Sequence, residues 1–401
     1  MARAFDPHSF LLAIITSSSA IFVLAYGLGI GSPLTTAAAL SGAIAALFAF
    51  GDRSRFIFVE IDLLFLAFGI CIGISFALNG WPAQKDAALL ALSLAAYPAG
   101  RCIPRGEIGL PFIGISAAIV LIGGTLTAYA LVDQWGPLLY RPVVFGYNHA
   151  ASVFLTSLAF IVIALASGRW LDKIRTWIAC AGLLLPAFIF GISMVRFGFA
   201  AMLAALAAIA ATSETRSDRR RLCIIIAVMV LAMSAGWLAR YKTINILLSY
   251  QDPAAATTPS AIAPSDPLIQ CGVHINSSIS IRKVLLREAL AAIPDAGWFG
   301  IGFTNFGKVS CFAGMDPHNS ILQALVELGW LGGAALVLMI VVTLRSTWEA
   351  ARFSQEGRFV LASFVYVAVL GMAHGSLCHD HLLFLFMGYA GRLYQDGFWA
   401  R

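Results

Sequence analysis

Apolar runs of about span length recur along almost the whole chain, and they limit what it can fold into. They fall near residues 9–30, 31–50, 56–78, 86–99, 108–131, 149–167, 175–194, 197–213, 222–239, 320–344, 359–378 and 380–392. Helices satisfy their own backbone hydrogen bonds inside a bilayer, where water is absent. With 60% hydrophobic and 11% charged residues, the chain is predicted to be an all-α polytopic membrane protein with about twelve transmembrane helices.

Positive charge is concentrated on every second connector between these runs, including the segment TRSDRRR at 215–221. Cytoplasmic connectors of membrane proteins retain the excess of lysine and arginine. We therefore expect both termini to be cytoplasmic and the long segment at 240–319 to lie outside. The net charge of +6 follows from this bias, so no nucleic-acid partner is predicted.

The predicted organisation has three regions. Residues 1–239 hold the first nine spans, residues 240–319 form an outer loop with short helices and catalytic elements, and residues 320–401 hold the remaining spans. Cys271 and Cys311 share the outer loop. A disulfide between them is expected if the outer compartment is oxidising. No cysteine or histidine spacing resembles a zinc site, and no metal or other cofactor is predicted.

Within the outer loop, Ser280–Ile293 has the apolar periodicity of an amphipathic helix. The predicted apolar stripe consists of Leu285, Leu286, Ala289, Leu290 and Ile293. Arg282 lies on the same stripe, four residues before Leu286. A guanidinium on a buried face needs an anionic partner. The alternative is that its stem covers apolar surface while its head reaches water.

A glycine-rich stretch follows this helix. Residues 294–297 predict a turn, and GWFGIGFTNFG then places glycines at 297, 300, 302 and 307. Glycines let the backbone pass close to another group. The stretch is not a dinucleotide-binding motif, because no parallel-sheet pattern surrounds it.

A polar cluster precedes the apolar run at 320–344, where His318 lies between Asp316 and Asn319. The ordinary pKa of histidine, near 6.5, suits proton transfer at neutral pH. The alternative is a structural histidine at the membrane surface. A second outer cluster contains His374, His379, Asp380 and His381, and it suits either metal binding or simple solvation.

Three further groups of charged residues stand out from the apolar sequence. Arg196 and Ser193 occupy a tight outer hairpin between two runs, where an arginine marks either a functional site or a lipid-phosphate contact. The connector at 133–151 carries Arg141, Tyr147, Asn148 and His149, which form either part of a polar site or an aromatic belt. Glu60 and Asp62 are expected to form a local ion pair with Arg53 and Arg55.

Together these elements resemble the O-antigen ligase and polymerase superfamily. The resemblance is carried by Ser193 to Arg196, the helix led by Arg282, the stretch PDAGWFGIGFTNF and, most specifically, DPHNSILQALVELGWLG. These elements occur in the family's order, with a long outer loop between two late spans, and they cover residues 193–332. Leu286 stands where that family often has tryptophan.

The resemblance implies a GT-C-like membrane fold and assigns roles to individual residues. Arg196 and Arg282 are expected to hold the diphosphate of an undecaprenyl-linked glycan, and His318 to act as general base. Further substrate-binding residues are predicted to be Arg287, Asn319, Asp316, Ser193, Arg141 and His149.

The expected function is that of an O-antigen ligase in the bacterial inner membrane. Such a ligase transfers the glycan from undecaprenyl diphosphate to lipid A-core oligosaccharide on the periplasmic face, with inversion and without a metal. Its partners are then the lipid-linked donor, the lipid A-core acceptor and membrane lipids. Alternatives are a polymerase of the same superfamily, a protein O-oligosaccharyltransferase and a transporter of the lipid-linked glycan. The transporter is disfavoured because the charged residues gather near the outer surface and no internal repeat is evident.

Overall fold

The computed structural model describes residues 7–52, 57–104, 106, 109–135, 142–168, 173–213, 215–241, 278–312 and 314–399. Within these ranges every named element is a helix. An isolated antiparallel bridge joins Val144 to Tyr147. The prediction of an all-α fold is therefore confirmed for the described part of the chain.

The helices are α1 (Pro7–Thr16), α2 (Ser18–Gly27), α3 (Pro33–Phe50), α4 (Glu60–Asn79), α5 (Gln84–Arg101), α6 (Leu110–Asp133), α7 (Ala150–Ser167), α8 (Lys173–Ile192), α9 (Arg196–Thr212), α10 (Arg216–Ala239), α11 (Ser278–Ala296), α12 (Phe306–Val309), α13 (Ser320–Glu327), α14 (Gly329–Phe353), α15 (Gln355–His374) and α16 (His381–Trp399).

Seven of the described helices are long and apolar enough to cross a membrane, namely α3, α4, α6, α7, α10, α14 and α15. The number rises to eight if α1 and α2, which bend by 68° at their junction, count as one span. Residues Cys180–Ile192 of α8 and the whole of α9, Arg196–Thr212, are shorter apolar helices. The chain is a multi-pass α-helical membrane protein, and the count of about twelve spans stays a prediction.

Helix α7 lies inside the bundle and is buried on nearly all sides. Phe160 of α7 stacks on Phe386 of α16, with ring centroids 5.7 Å apart, and meets Tyr366 of α15 edge-on at 5.6 Å. Helices α5 and α16 approach closely at Gly100 and Gly388, where a Cβ would collide with backbone of the other helix. Close packing of this kind stabilises helix association in lipid, where the hydrophobic effect is weak.

A buried ion pair joins α4 to α5. Asp62 accepts hydrogen bonds from Arg101 Nε at 3.0 Å and from the Tyr97 hydroxyl at 2.7 Å. Arg53 and Arg55, the partners predicted for Asp62, lie outside the described residues. The partner found comes from another helix, and sequence proximity does not indicate such a pairing.

The predicted run at 320–344 is divided into two helices, α13 and α14, at Gly329. Gly329 has φ 78°, in the left-handed region, and a Cβ there would collide with the backbone of residues 298–300. Backbone hydrogen bonds run from Ile301 N to Val326 O at 3.0 Å and from Gly302 N to Glu327 O at 3.1 Å. The glycine-rich stretch thus packs its backbone against the junction of α13 and α14.

Helix α11 differs from the predicted helix in length and in its buried face. It continues through the predicted turn to Ala296 and ends before Gly297, whose φ is 64°. Leu286 and Leu290, expected on the buried stripe, are 44% and 52% exposed. Leu285 and Ala289, which also belong to the predicted stripe, are buried as expected, in a small separate core shared with α12 and α13. Because α11 packs against α12 and α13, the face that it buries is rotated slightly from the predicted stripe.

Candidate active site

Four segments of the chain meet at one end of the bundle: the start of α9, the first turns of α11, the loop before α13 and the last turn of α15. His318 lies in the loop and is half-buried, with φ 54°. Left-handed backbone is uncommon for a residue other than glycine, and it clusters at functional sites. The neighbouring Asn319 starts α13, because its side-chain oxygen accepts the backbone N–H groups of Ile321 and Leu322, both at 3.0 Å.

Arg282 extends from α11 towards α9 and α15. Its Nη2 lies 3.0 Å from Nδ1 of His374, and its guanidinium carbon lies 5.1 Å from the ring centroid of Phe197. Phe197 in turn meets His374 edge-on, with centroids 5.3 Å apart. Since Phe197 directly follows Arg196, these contacts bring the two predicted diphosphate-binding arginines to the same part of the molecule. Arg196 itself is the first residue of α9 and is exposed.

The last turn of α15 also holds the start of α13. Asn319 Nδ2 donates to the carbonyl of Met372 at 3.1 Å, and Ser320 Oγ donates to the carbonyl of Gly371 at 3.3 Å. Ser320 also makes a short contact with the carboxylate of Asp380. The residues after His318 are therefore fixed to the same helix end that contacts Arg282.

Electrostatics around His318 favour a neutral imidazole. Burial, and then the positive charge of Arg282, lower the pKa of His318, while the carboxylate of Asp316 raises it less strongly. Asp316 is held by Ser376, whose hydroxyl donates to Oδ2 at 2.9 Å. With its pKa below the usual value, His318 is unprotonated at neutral pH and can accept a proton.

The same region of the chain matches a known protein family. A family model described as O-antigen ligase matches residues 181–337. Over this region the chain is similar to the O-antigen ligase family. The matched region contains Arg196, Arg282 and His318, and it ends before the last turn of α15. A comparison with curated proteins found no match.

The other residues predicted to bind substrate have different surroundings. Ser193 is buried, and its hydroxyl donates to the carbonyl of Ile189 at 2.9 Å. The oxygen and one N–H of the Asn319 amide are engaged within the protein, so Asn319 shapes the loop. Arg287 is exposed on α11, about 140° around the helix from Arg282.

The connector before α7 is described only in part. Arg141 lies outside the described residues, and His149 is exposed immediately before α7. Tyr147 meets Phe22 and Tyr26 of α2 edge-on, with centroid distances of 5.6 and 5.0 Å. These contacts favour the aromatic-belt interpretation for Tyr147.

The second outer cluster of histidines does not form a single site in the structure. His374 contacts Arg282, whereas Nε2 of His381 lies 3.2 Å from the hydroxyl of Ser18. Among the described residues, no group of three or more His, Cys, Asp and Glu side chains is arranged to hold a metal ion. Cys311 forms a disulfide, and its predicted partner Cys271 lies outside the described residues.

Sequence reasoning missed a buried pair of side chains, Gln323 and Glu327, on α13. Gln323 Nε2 donates to Glu327 Oε2 at 2.9 Å, and Gln323 Oε1 accepts the backbone N–H of Leu377 at 2.9 Å. Glu327 also accepts the backbone N–H of Phe306 at 3.2 Å. Residues four apart on a helix lie on the same face, so the spacing of Gln323 and Glu327 could have indicated their contact. Their backbone partners are evident only in the structure.

Proposed function

We propose that this chain is an O-antigen ligase of the bacterial inner membrane. It transfers a glycan from undecaprenyl diphosphate to lipid A-core oligosaccharide at the periplasmic surface. The observation that carries the proposal is that Arg282 and the loop of the half-buried His318 contact the same helix end, the last turn of α15, and that both residues lie in the region matched by the family model. A neutral base next to a fixed cation is what attack on a sugar diphosphate requires.

The arginines are proposed to bind the diphosphate of the donor. Negative charge builds up on the diphosphate as its bond to the sugar C1 breaks, and a guanidinium can donate two parallel hydrogen bonds to phosphate oxygens. Arg282 is held at the site by His374 and Phe197, and Arg196 is exposed next to Phe197. Their positive charge performs the task of a metal ion in other transferases, so the proposed reaction is metal-independent.

His318 is proposed to activate the acceptor. It removes the proton from a hydroxyl of the core oligosaccharide, and the hydroxyl oxygen forms a bond to C1 as the bond from C1 to the diphosphate oxygen breaks. Attack from the face opposite the leaving group inverts the configuration at C1. Undecaprenyl diphosphate leaves with the bonding electrons, and His318 later releases the proton to water.

The alternative within the family is a polymerase, in which the accepting hydroxyl belongs to another lipid-linked glycan. The same base and the same arginines serve both reactions, because only the acceptor differs. A protein hydroxyl as acceptor would give the protein O-oligosaccharyltransferase. A transporter needs no general base, and the position of His318 beside Arg282 therefore favours transfer over transport.

Purified full-length protein incubated with undecaprenyl-diphosphate glycan and lipid A-core, with a chelator present, tests the proposal. We expect a ladder of glycan-bearing lipopolysaccharide on a gel, and a loss of about 10²–10⁴-fold in the rate for His318→Ala, the usual contribution of a general base. Longer lipid-linked glycan without any ladder would instead identify a polymerase. If His318→Ala formed the ladder at the wild-type rate, the role of His318 would be refuted.

A further inference from the structure

We propose that His374 is a positioning residue for donor binding: it fixes the guanidinium of Arg282 so that this group can bind the diphosphate. The inference rests on the proposed function and adds to it a residue beyond the region matched by the family model. His374 is the last residue of α15, and it stands outside the motifs that carry the family resemblance. Its contact with Arg282 joins segments 92 residues apart in the chain.

The chemistry of the two groups sets the direction of their hydrogen bond. A guanidinium carries only donors, so the hydrogen bond of 3.0 Å from Arg282 Nη2 must be accepted by Nδ1 of His374. A ring nitrogen that accepts carries no proton. The contact therefore selects the neutral tautomer with its proton on Nε2. A neutral acceptor orients the guanidinium without cancelling the positive charge that a diphosphate needs.

Phe197 gives the guanidinium a second point of contact. The aromatic face lies 5.1 Å from the guanidinium carbon, and the edge contact between Phe197 and His374 places the two rings nearly perpendicular, at 87°. A cation over an aromatic face is attracted by the ring's electrons without being neutralised. One hydrogen bond and one ring face together restrict the rotation of a long side chain that otherwise samples many rotamers.

The place of His374 in the fold couples this restraint to His318. The carbonyls of Gly371 and Met372, in the same last turn of α15, accept hydrogen bonds from Ser320 and Asn319. This helix end consequently determines where both Arg282 and the loop carrying His318 lie. The carbonyl end of the α15 dipole also carries partial negative charge, which favours a nearby cation. Loss of the His374 acceptor should then weaken donor binding more than it slows the chemical step.

Two substitutions of His374 test separately the hydrogen-bond acceptor atom and the aromatic ring. In His374→Phe the ring that meets Phe197 remains and the acceptor is lost. In His374→Asn the side-chain oxygen can accept close to the position of Nδ1 while the ring is lost. Purified full-length proteins are compared for binding of undecaprenyl diphosphate in detergent micelles, for KM and kcat in glycan transfer, and for thermal unfolding. Arg282→Ala serves as the reference for complete loss of the contact.

We expect His374→Phe to weaken binding of undecaprenyl diphosphate and to raise the donor KM by about tenfold, as for loss of one hydrogen bond to a charged group. The kcat should change much less. His374→Asn should bind within about threefold of wild type, because the acceptor is restored. Equal binding by His374→Phe and wild type, or equal impairment of both variants with normal unfolding, would overturn the inference.

A variant that fails to fold does not end the test. If His374→Phe does not accumulate in the membrane, His374→Ala replaces it, and binding by His374→Ala equal to that of His374→Asn overturns the inference. Loss of binding in Arg282→Ala without any loss in the His374 variants refutes the inference alone. If wild type binds no undecaprenyl diphosphate, or Arg282→Ala binds as tightly as wild type, the proposed function fails as well.

Discussion

Arg101 and Arg282 are both held at helix contacts, yet their surroundings differ in charge. Arg101 is 1% exposed. Its guanidinium donates to both oxygens of Asp62, at 3.0 and 3.1 Å, and to the side chain of Gln395 at 3.0 Å. Arg282 is half-buried, and the contacts described above place it against the imidazole of His374 and the ring of Phe197.

We propose that the difference separates a structural cation from one that binds a ligand. A carboxylate that receives two hydrogen bonds neutralises Arg101, so the pair stabilises the packing of α4 against α5 and offers nothing to a ligand. The charge of Arg282 still acts on its surroundings, since it lowers the pKa of His318. Contact with a neutral ring nitrogen and an aromatic face orients a guanidinium without cancelling its charge.

The largest effect on the fold is expected from Arg101→Ala. Removing one partner leaves the carboxylate of Asp62 buried without its counter-charge, which typically costs about 3–5 kcal/mol. We expect the variant to accumulate poorly, or to unfold at clearly lower temperature, as followed by size-exclusion chromatography and thermal unfolding of the purified protein.

A double variant checks that charge pairing is the reason. Arg101→Met combined with Asp62→Leu removes both charges while keeping apolar volume, and it should recover most of the lost stability. If the double variant were as unstable as Arg101→Ala, the contribution of Arg101 would lie in its packing and not in its ion pair.

Arg282→Ala is expected to give the opposite result. Transfer should fall by about 10²–10³-fold, as for removal of a donor that stabilises developing charge, while the free energy of unfolding should change by less than about 1 kcal/mol. Arg282→Lys keeps the charge without the planar fork, so it should retain only part of the activity. Rates of glycan transfer measured beside thermal unfolding test both. A loss of stability as large as that of Arg101→Ala would show that the two arginines do not differ as proposed.

The helices and the candidate site residues could be expected from the sequence. The apolar runs predict helices because period and length determine which segments suit a bilayer. The order of Arg196, Arg282 and His318 along the chain predicts a shared site, and the position of Arg282 on an apolar stripe distinguishes it from the other charged residues of α11. The apolar runs and the charge on the stripe depend on neighbours within a few residues, which a sequence displays directly.

The partners of the charges could not be expected in the same way. Asp62 meets Arg101, and Arg282 meets His374, across segments whose approach depends on how helices pack. The exposed Leu286 and Leu290 illustrate the same limit. Periodicity identifies an apolar stripe, but the helix that packs against it determines which edge of that stripe is buried. His374 was therefore grouped with its sequence neighbours and not with Arg282.

The smallest expected effect is a shift in the pH dependence of transfer in Asp316→Asn. The carboxylate of Asp316 raises the pKa of His318, whereas burial and Arg282 lower it. Without that negative charge, burial and Arg282 lower the pKa of His318 further, so its imidazole stays neutral down to a lower pH. The acidic limb of the kcat/KM profile, which reports protonation of the free enzyme's base, should then move to lower pH.

Ser376→Ala is the matched control for this shift, because it deletes the hydroxyl that donates to Asp316 Oδ2 and leaves the carboxylate charge in place. If Asp316 acts through its charge, the acidic limb of Ser376→Ala should stay close to that of wild type while that of Asp316→Asn moves. An equal shift in both variants would mean that Asp316 acts by holding the loop in position. A shift of Asp316→Asn to higher pH would contradict the electrostatic explanation, since the carboxylate of Asp316 would then not raise the pKa of His318.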